Sequence, residues 1–349
     1  MKDIILKEIV DNTKKLIEFK TIKENYTEFD TAFDYIKKEL KDYYIKEIYI
    51  DNYKNIIISN TVDKNLDIIF CGHIDVVPAD NYIAKEENGK LMGRGSFDMK
   101  GQLSVIISLL KNNKSNKKIA FIITSDEEIG GNCCKQIMEN YNSKLAIIPD
   151  GGKNFELVIE EKGLLQLEIS VKGKTYHASE PYKGENAILK LIDLYNKITN
   201  IYSGASEENY VTSVNLSKID GGEAVNMVPG HAKMTLDIRF TKEETVNSII
   251  NNIKSLSNDI EIKVLDSGPT FHTDINLDII KEFIKKSEEV LNDKIKIKKC
   301  TATSDAIYFS EKNIPTILIN PKGNYWHAPN EYVEIDSLYT LYEIFKKMI

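Results

Sequence analysis

Five short segments of the sequence place histidine or carboxylate side chains beside glycine, proline or tryptophan, as loops that carry catalytic groups often do. They are His73-Ile74-Asp75, the loop 93–101 with Asp98, the run Asp126-Glu127-Glu128, Asp150 in Pro149-Asp150-Gly151, and His327 in Trp326-His327-Ala328-Pro329. Each segment also has an ordinary structural explanation. Asp98 could be a helix N-cap, the acidic run a solvated turn, Asp150 a turn residue, and the Trp326–His327 pair part of the packing.

The residue types of these segments gain meaning when they are taken together. Each segment follows a predicted strand or lies in a loop that we expect at one edge of one sheet. Two histidines and three carboxylates suit a pair of divalent metal ions about 3.5–4 Å apart, and zinc accepts such nitrogen and oxygen ligands. The candidate ligands are His73, Asp98, Glu128, Asp150 and His327.

The acidic run is the segment whose chemistry depends most on a neighbouring cation. Three adjacent carboxylates repel one another, which is costly unless a cation or a proton relieves them. Glu127 and Glu128 could therefore divide two roles, one as general base and the other as metal ligand. Asp75 could orient the imidazole of His73, since carboxylates often stand behind metal-bound histidines.

The elements that must position these groups alternate between helix and strand. Helical spacing of apolar residues predicts helices over about 3–19, 28–42, 101–110 and 131–141. Short, continuous apolar runs predict buried strands over 55–59, 66–71, 118–124 and 145–148. This alternation predicts an α/β sheet covered by helices on both faces, with the candidate residues at the carboxyl ends of its strands.

The pattern changes after Asp150 and resumes near residue 275. Segments 155–159 and 165–171 alternate like the two strands of an antiparallel pair around Lys162-Gly163. The order β-α-β-β-α-β then predicts a ferredoxin-like unit inserted over 163–268. We therefore expect one catalytic domain built from 1–162 and 269–349. Its second part has a helix to about 291, a strand over 316–319 and a helix over 336–348.

Composition narrows the class of protein. A net charge of −7 argues against a nucleic-acid partner, and no apolar run is long enough to span a membrane. The N-terminus does not resemble a secretory signal, and the four cysteines, two of them adjacent at 133–134, form no disulfide framework, so we expect a cytoplasmic protein. Only two arginines occur, Arg94 and Arg239, and we expect each where a planar fork succeeds and lysine fails.

Four motifs, in their order and spacing, resemble those of the M20 metallopeptidase family. That group includes succinyl-diaminopimelate desuccinylase, acetylornithine deacetylase and carboxypeptidase-like enzymes. The motifs are GHIDVVP at 72–78, GRGSFDMKG at 93–101, DEEIGG at 126–131 and HAPNE at 327–331, and the resemblance covers essentially the full chain. It implies a zinc-peptidase-like catalytic domain, with a mixed sheet and helices on both faces, plus an inserted ferredoxin-like α+β lid that also forms a homodimer.

The resemblance also implies a role for each matching residue in the catalytic domain. Asp98 would bridge two zinc ions, for which Co²⁺ or Mn²⁺ could substitute. Glu127 would be the general base, and Asp75 would support the catalytic centre. The remaining implied ligands are His73 and Asp150 for one metal ion, and Glu128 and His327 for the other.

Three residues of the inserted unit match family positions as well. His177 would reach across the dimer to stabilise an oxyanion, Asn226 would contact the substrate, and Arg239 would bind the substrate carboxylate. The turn Thr303-Ser304-Asp305 resembles a family turn near the pocket.

The function implied is hydrolysis of the amide bond of an N-acyl amino acid, of the desuccinylase or deacetylase type. A dipeptidase or carboxypeptidase is the alternative within the family, because position 150 holds Asp, as in several peptidase branches, and not Glu. A catalytically inactive binding module is the alternative outside the enzymes. The chain has no Gly-rich nucleotide loop and no Gly-x-Ser-x-Gly elbow, which argues against other enzyme classes.

Overall fold

The computed structural model describes residues 2–112 and 114–349. The chain divides into two compact units. Unit 1 contains the described residues up to Glu160 together with Thr273–Cys300 and Ser304–Ile349. Unit 2 contains Glu161–His272 and Thr301–Thr303. No helix in the described ranges is both long enough and apolar enough to span a membrane.

Helices and strands alternate through most of the chain. The helices are α1 (Lys2–Glu18), α2 (Tyr26–Glu39), α3 (Lys100–Asn112), α4 (Asn132–Met138), α5 (Ala187–Ile201), α6 (Val246–Ser255), α7 (Asp278–Leu291), α8 (Ala306–Ser310) and α9 (Ile335–Lys346). The first strands are β1 (Tyr44–Ile50), β2 (Tyr53–Ser59), β3 (Asn65–His73), β4 (Lys85–Glu87), β5 (Lys90–Met92), β6 (Ile119–Thr124), β7 (Asn142–Ile148) and β8 (Leu157–Glu161). The others are β9 (Gly163–Lys172), β10 (Ser213–Gly221), β11 (His231–Phe240), β12 (Ile260–Gly268), β13 (Phe271–His272), β14 (Ile297–Cys300), β15 (Thr316–Ile319), β16 (Gly323–Asn324) and β17 (Tyr332–Glu334).

The large sheet of unit 1 confirms the predicted mixed α/β architecture. Seven of its strands follow the order β1-β2-β6-β3-β7-β15-β8, and β14 also pairs with β8. Pairings β6–β3, β3–β7 and β7–β15 are parallel, whereas β1–β2, β2–β6 and β15–β8 are antiparallel. All six residues of β6 are buried, which is expected of a central strand covered on both faces. The parallel register aligns the carboxyl ends of β3, β6 and β7, where candidate residues follow.

A smaller antiparallel sheet in unit 1 brings two candidate loops side by side. Its order is β16-β17-β5-β4. The register places Tyr332 opposite Met92, and the N–H of Gly93 donates to the carbonyl of Glu331 over 3.1 Å. The loop that carries Asp98 begins where β5 ends, and the loop that carries His327 joins β16 to β17.

Unit 2 has the predicted order β-α-β-β-α-β. Its four strands are all antiparallel, in the order β10-β11-β9-β12. Alternate residues of β9 are buried in one core with apolar residues of α5 and α6, so only one face of this strand contributes to that core.

The predicted pairing of segments 155–159 and 165–171 is wrong. β8 pairs with β15 in unit 1, whereas β9 pairs with β11 and β12 in unit 2. Lys162-Gly163 is therefore not a hairpin turn. Gly163 lies opposite Phe240, and a Cβ at this glycine would lie 2.3 Å from the Phe240 ring, so a close approach explains the glycine. Apolar alternation identified both strands but does not specify their partners.

Candidate metal centre and active site

Asp98 lies between two histidines in unit 1. Its Oδ1 is 3.2 Å from Nε2 of His73, and its Oδ2 is 3.2 Å from Nε2 of His327. Each carboxylate oxygen therefore faces a different imidazole. This is the arrangement that a carboxylate bridging two metal ions requires, with one histidine on either side.

One further carboxylate accompanies each histidine. Oδ2 of Asp150 is 3.7 Å from Nε2 of His73, and Oε2 of Glu128 is 3.0 Å from Nε2 of His327. Ligand atoms of His73, Asp98 and Glu128 all lie within 4.8 Å of one another. The structure thus places all five sequence-predicted metal ligands in one cluster.

The end of β3 fixes the orientation of His73. Its Nδ1 lies 3.0 Å from the main-chain oxygen of Asp75, closer than the Asp75 carboxylate at 3.5 Å. Because a carbonyl oxygen only accepts hydrogen bonds, the proton is on Nδ1, and in the neutral ring Nε2 is free to bind a metal ion. The expected orienting role of Asp75 therefore involves its main chain as well. Its carboxylate Oδ2 accepts a 2.9 Å bond from the N–H of Glu128, so Asp75 connects both halves of the cluster.

The two adjacent glutamates lie in the same 3₁₀ turn but belong to different parts of the cluster. Glu127–Ile129 form this turn after β6, and Gly130 and Gly131 follow with positive φ of 129° and 65°. Glu127 groups with His73 and Asp150, whereas Glu128 bonds to His327. Burial raises the pKa of Glu127 well above its ordinary value, an effect that the charge of His73 opposes and that of Asp150 reinforces. A carboxylate with a raised pKa is a stronger base than an ordinary carboxylate.

The charges of the cluster fit divalent cations. Hydrogen bonds to Asp98 and Glu128 raise the pKa of His327 to about 10. Burial lowers the pKa of His73, but its bonds to Asp75 and Asp98 outweigh burial and the net shift is upward. Burial raises the pKa of Asp98, but the two imidazoles outweigh it and the net shift is downward. Carboxylates therefore hold positive charge on both rings, and metal ions with nitrogen and oxygen ligands would supply that charge directly.

Glu331 and Arg94 hold both candidate loops; the sequence leaves the role of Arg94 open, with bracing of its loop as one interpretation, and gives Glu331 none. Oε1 of Glu331 accepts bonds from the N–H groups of Phe97 and Asp98, at 3.0 and 3.1 Å. Oε2 accepts a 2.6 Å bond from Nη1 of Arg94, which also donates to the carbonyl of Ala328 over 3.3 Å. The sequence signal was the rarity of arginine and the position of Glu331, four residues after His327.

The start of α3 is held against the same loop. The carbonyl of Ser96 lies 2.4 Å from where a Cβ on Gly101 would be, so only glycine permits this approach. Lys100 is fully buried, its Nζ donates to the carbonyl of Phe19 over 2.7 Å, and burial lowers its pKa to about 7.

The three predicted residues of the inserted segment all lie in unit 2. His177 and Asn226 are both exposed. They lie on adjacent segments: His177 forms an isolated β-bridge with Met227, and the N–H of Ala178 donates to the carbonyl of Asn226. Arg239 is half-buried on β11, with its Nε 2.9 Å from Oδ1 of Asp237. The roles of these three residues remain predictions.

Comparison with known proteins places this geometry in context. The sequence model of peptidase family M20/M25/M40 matches residues 69–349. A succinyl-diaminopimelate desuccinylase of Sulfurovum sp. (strain NBC37-1) is 26% identical, over 98% of each chain. The crystal structure of aminopeptidase PepT from Bacillus cereus ATCC 10987 is similar, with a TM-score of 0.81 and 20% identity, over 99% of this chain and 98% of that one. The structure of a Bacillus subtilis dinuclear metal-binding peptidase of the M20 family is also similar. Its TM-score is 0.71 and its identity 14%, over 99% of this chain and 98% of that one.

Proposed function

Since the chain belongs to peptidase family M20/M25/M40 and is a hydrolase of amide or peptide bonds, we propose that it deacylates an N-acyl amino acid with a free carboxylate. The proposed reaction is of the desuccinylase or deacetylase type. The observation that carries this proposal is Asp98, with one carboxylate oxygen facing each histidine.

Two zinc ions are the proposed cofactors, with Co²⁺ or Mn²⁺ as possible substitutes. Asp98 would bind both ions, and the other ligands would be His73 and Asp150 for one and Glu128 and His327 for the other. When bound, such ions polarise the scissile carbonyl and make a water molecule more acidic. The mix of imidazole and carboxylate donors within 4.8 Å supports this assignment.

Glu127 is the proposed general base. It takes a proton from the attacking water and later donates a proton to the leaving amine. Its raised pKa supports this double role, because a carboxylate with a raised pKa is a stronger base toward the proton of water. Asp75 keeps His73 and Glu128 in position from behind.

A pair of matched variants tests this division of roles. Glu127→Gln should retain both metal ions and lose nearly all turnover, because the amide cannot accept the proton. Glu128→Gln should instead lose metal, which metal analysis of the purified protein measures. Near-normal activity of Glu127→Gln would refute the base assignment, and a fully active wild-type protein without a transition metal would refute the whole site.

Unit 2 is proposed as a lid and dimerisation unit. His177 from the partner subunit would stabilise the oxyanion, Asn226 would contact the substrate, and Arg239 would bind its carboxylate through a planar fork. The exposure of His177 and Asn226 supports roles toward a ligand or a second subunit. A cytoplasmic location is proposed as well, supported by four cysteines that form no disulfide.

A peptidase is the second candidate, and Asp150 is the observation that favours it. An assay of the zinc-loaded protein separates the deacylase from the peptidase. The substrates are N-succinyl-diaminopimelate, N-acetylornithine, dipeptides and tripeptides. The deacylase proposal requires a kcat/KM for an acyl substrate well above that for every peptide. Failure of the whole panel with metal-loaded protein would instead favour an inactive binding module.

A further inference from the structure

A second cluster of metal-ligating side chains in unit 1 takes no part in the proposed reaction. Cys71 lies on β3, Cys134 on α4, and Asp305 directly before α8. Their ligand atoms lie within 4.8 Å of one another, and the two sulfur atoms are 4.0 Å apart. All three residues are buried. Three separate elements therefore converge on one point with two thiols and a carboxyl group.

Asp305 makes this cluster chemically unusual. Its Oδ2 accepts a 3.2 Å bond from the hydroxyl of Thr124, and in the described ranges it forms no ion pair. Burial and, after it, the charge of Asp126 raise its pKa to about 7, and the charge of His73 opposes them. A buried carboxylate is costly without a compensating charge, so this position requires a proton or a cation.

We propose that Cys71, Cys134 and Asp305 form a separate site for a thiophilic divalent cation such as Zn²⁺ or Cd²⁺. Tetrahedral zinc with bonds of about 2.3 Å holds two thiolate sulfurs about 3.8 Å apart. The observed 4.0 Å is within ordinary side-chain adjustment of that value. Binding replaces the two thiol protons, which pass to solvent, and the carboxylate of Asp305 bonds directly to the cation, so the net charge of the cluster is unchanged.

The donor set decides the class of cation. Two sulfur ligands select soft or borderline ions over Mg²⁺ and Ca²⁺, which prefer oxygen alone. The proposed catalytic centre offers only nitrogen and oxygen, so the two sites differ in the ions that they prefer. Of these two sites, only the new one can therefore produce a signal of sulfur coordination.

Two other cysteines are matched controls. Cys133 is equally buried and adjacent to Cys134, but its sulfur lies 3.9 Å from the carbonyl of Ile50, away from the cluster. Cys300 is partly exposed on β14. A sulfur–metal signal from the proposed site should therefore not depend on either of them.

Cadmium titration of the full-length protein tests the proposal. Wild type, Cys133→Ser and Cys300→Ser should show the ultraviolet absorption of cadmium–thiolate bonds, saturating at one such ion per chain. Cys71→Ser and Cys134→Ser should lose it, and Asp305→Asn should weaken cadmium binding at least tenfold. No thiolate absorption in wild type, or its loss in Cys133→Ser, would overturn the proposal.

Cadmium NMR of the unmutated protein keeps the test decisive if a variant fails to fold. A resonance in the range of two-sulfur sites supports the proposal, and resonances confined to nitrogen and oxygen sites overturn it. Neither measurement uses turnover. Failure here therefore leaves the proposed hydrolase function intact, and failure of that function leaves this site intact.

Discussion

Replacing Glu331 with glutamine tests whether one buried carboxylate holds both candidate metal-binding loops. Its two oxygens accept three hydrogen bonds, from the N–H groups of Phe97 and Asp98 and from Nη1 of Arg94. Glutamine has almost the same shape but only one acceptor oxygen. If that oxygen faces the main chain, its NH₂ group faces the guanidinium, and if it faces Arg94, two N–H donors are left unpaired.

The magnitude follows from the burial of the pair. The side chains of Arg94 and Glu331 are 5% and 1% exposed, so water cannot replace the lost bonds. Breaking a buried ion pair costs about 3–5 kcal/mol. Burial also raises the pKa of Glu331, against the bonds that lower it, so desolvation already offsets part of the attraction. A lost hydrogen bond to a charged group, about 1.5–3 kcal/mol, is therefore the better guide.

We expect two measurable consequences in Glu331→Gln. The Tm should fall by roughly 3–12 °C, at 2–4 °C for each kcal/mol. Metal affinity should fall by about 10–100-fold, as it does when groups that support metal ligands are changed. Calorimetry of the metal-free protein and competition with a chromophoric chelator measure the two quantities separately.

A matched control and a double-mutant cycle complete the experiment. Glu334→Gln removes a nearby carboxylate whose side chain is only partly buried and pairs with no other described side chain, so both quantities should stay at wild-type values. The double variant Arg94→Met/Glu331→Gln should cost less than the sum of its single variants. A Glu331→Gln protein with unchanged Tm and unchanged metal affinity would refute the reasoning.

The remaining predictions concern substrate binding, the oxyanion and pH. Arg239→Lys should raise KM with little change in kcat, because a point charge replaces a fork; an unchanged KM in steady-state kinetics would contradict the proposed clamp. His177→Ala should lower kcat by about 10²–10³-fold, and mixing it with an otherwise inactive Glu127→Gln protein should restore activity only if His177 acts from the partner subunit. In the metal-free protein, the raised pKa of His327 stabilises the fold fully below its unfolded pKa of about 6.5, and this stabilisation is lost as the pH rises through about 10. The Tm difference between metal-free wild type and His327→Asn should therefore shrink over that window, and a difference independent of pH would contradict the assignment.

The candidate ligands could be predicted because each lies in a short motif next to a strand end. His73 ends β3, Glu128 and Asp150 follow β6 and β7, and the parallel register brings these three positions to one edge. A local pattern was therefore sufficient for each residue. The sheet supplied the proximity that the sequence only implied.

Features that depend on a partner far away in the chain could not be predicted from the sequence. Glu331 and Arg94 are 237 residues apart, and neither has a local pattern that names the other. Apolar alternation marked β8 and β9 as strands, but pairing depends on the surface that each one covers. The sequence does not predict the hairpin β1–β2, because β1 is largely exposed and shows no clean apolar alternation. In the structure, Asp51 and Asn52 connect its two strands with positive φ.

The parallel pairing of β7 with β15 sets the order in which the protein can be assembled on the ribosome. Ala146 lies opposite Thr316, about 170 residues later in the chain. At about 5–20 residues per second, one side of β7 waits roughly 10–30 s for its partner while the intervening chain is made. Throughout that interval a nascent strand edge is exposed to mispairing. His327 is synthesised later still, so a complete set of candidate metal ligands exists only after that residue has been made.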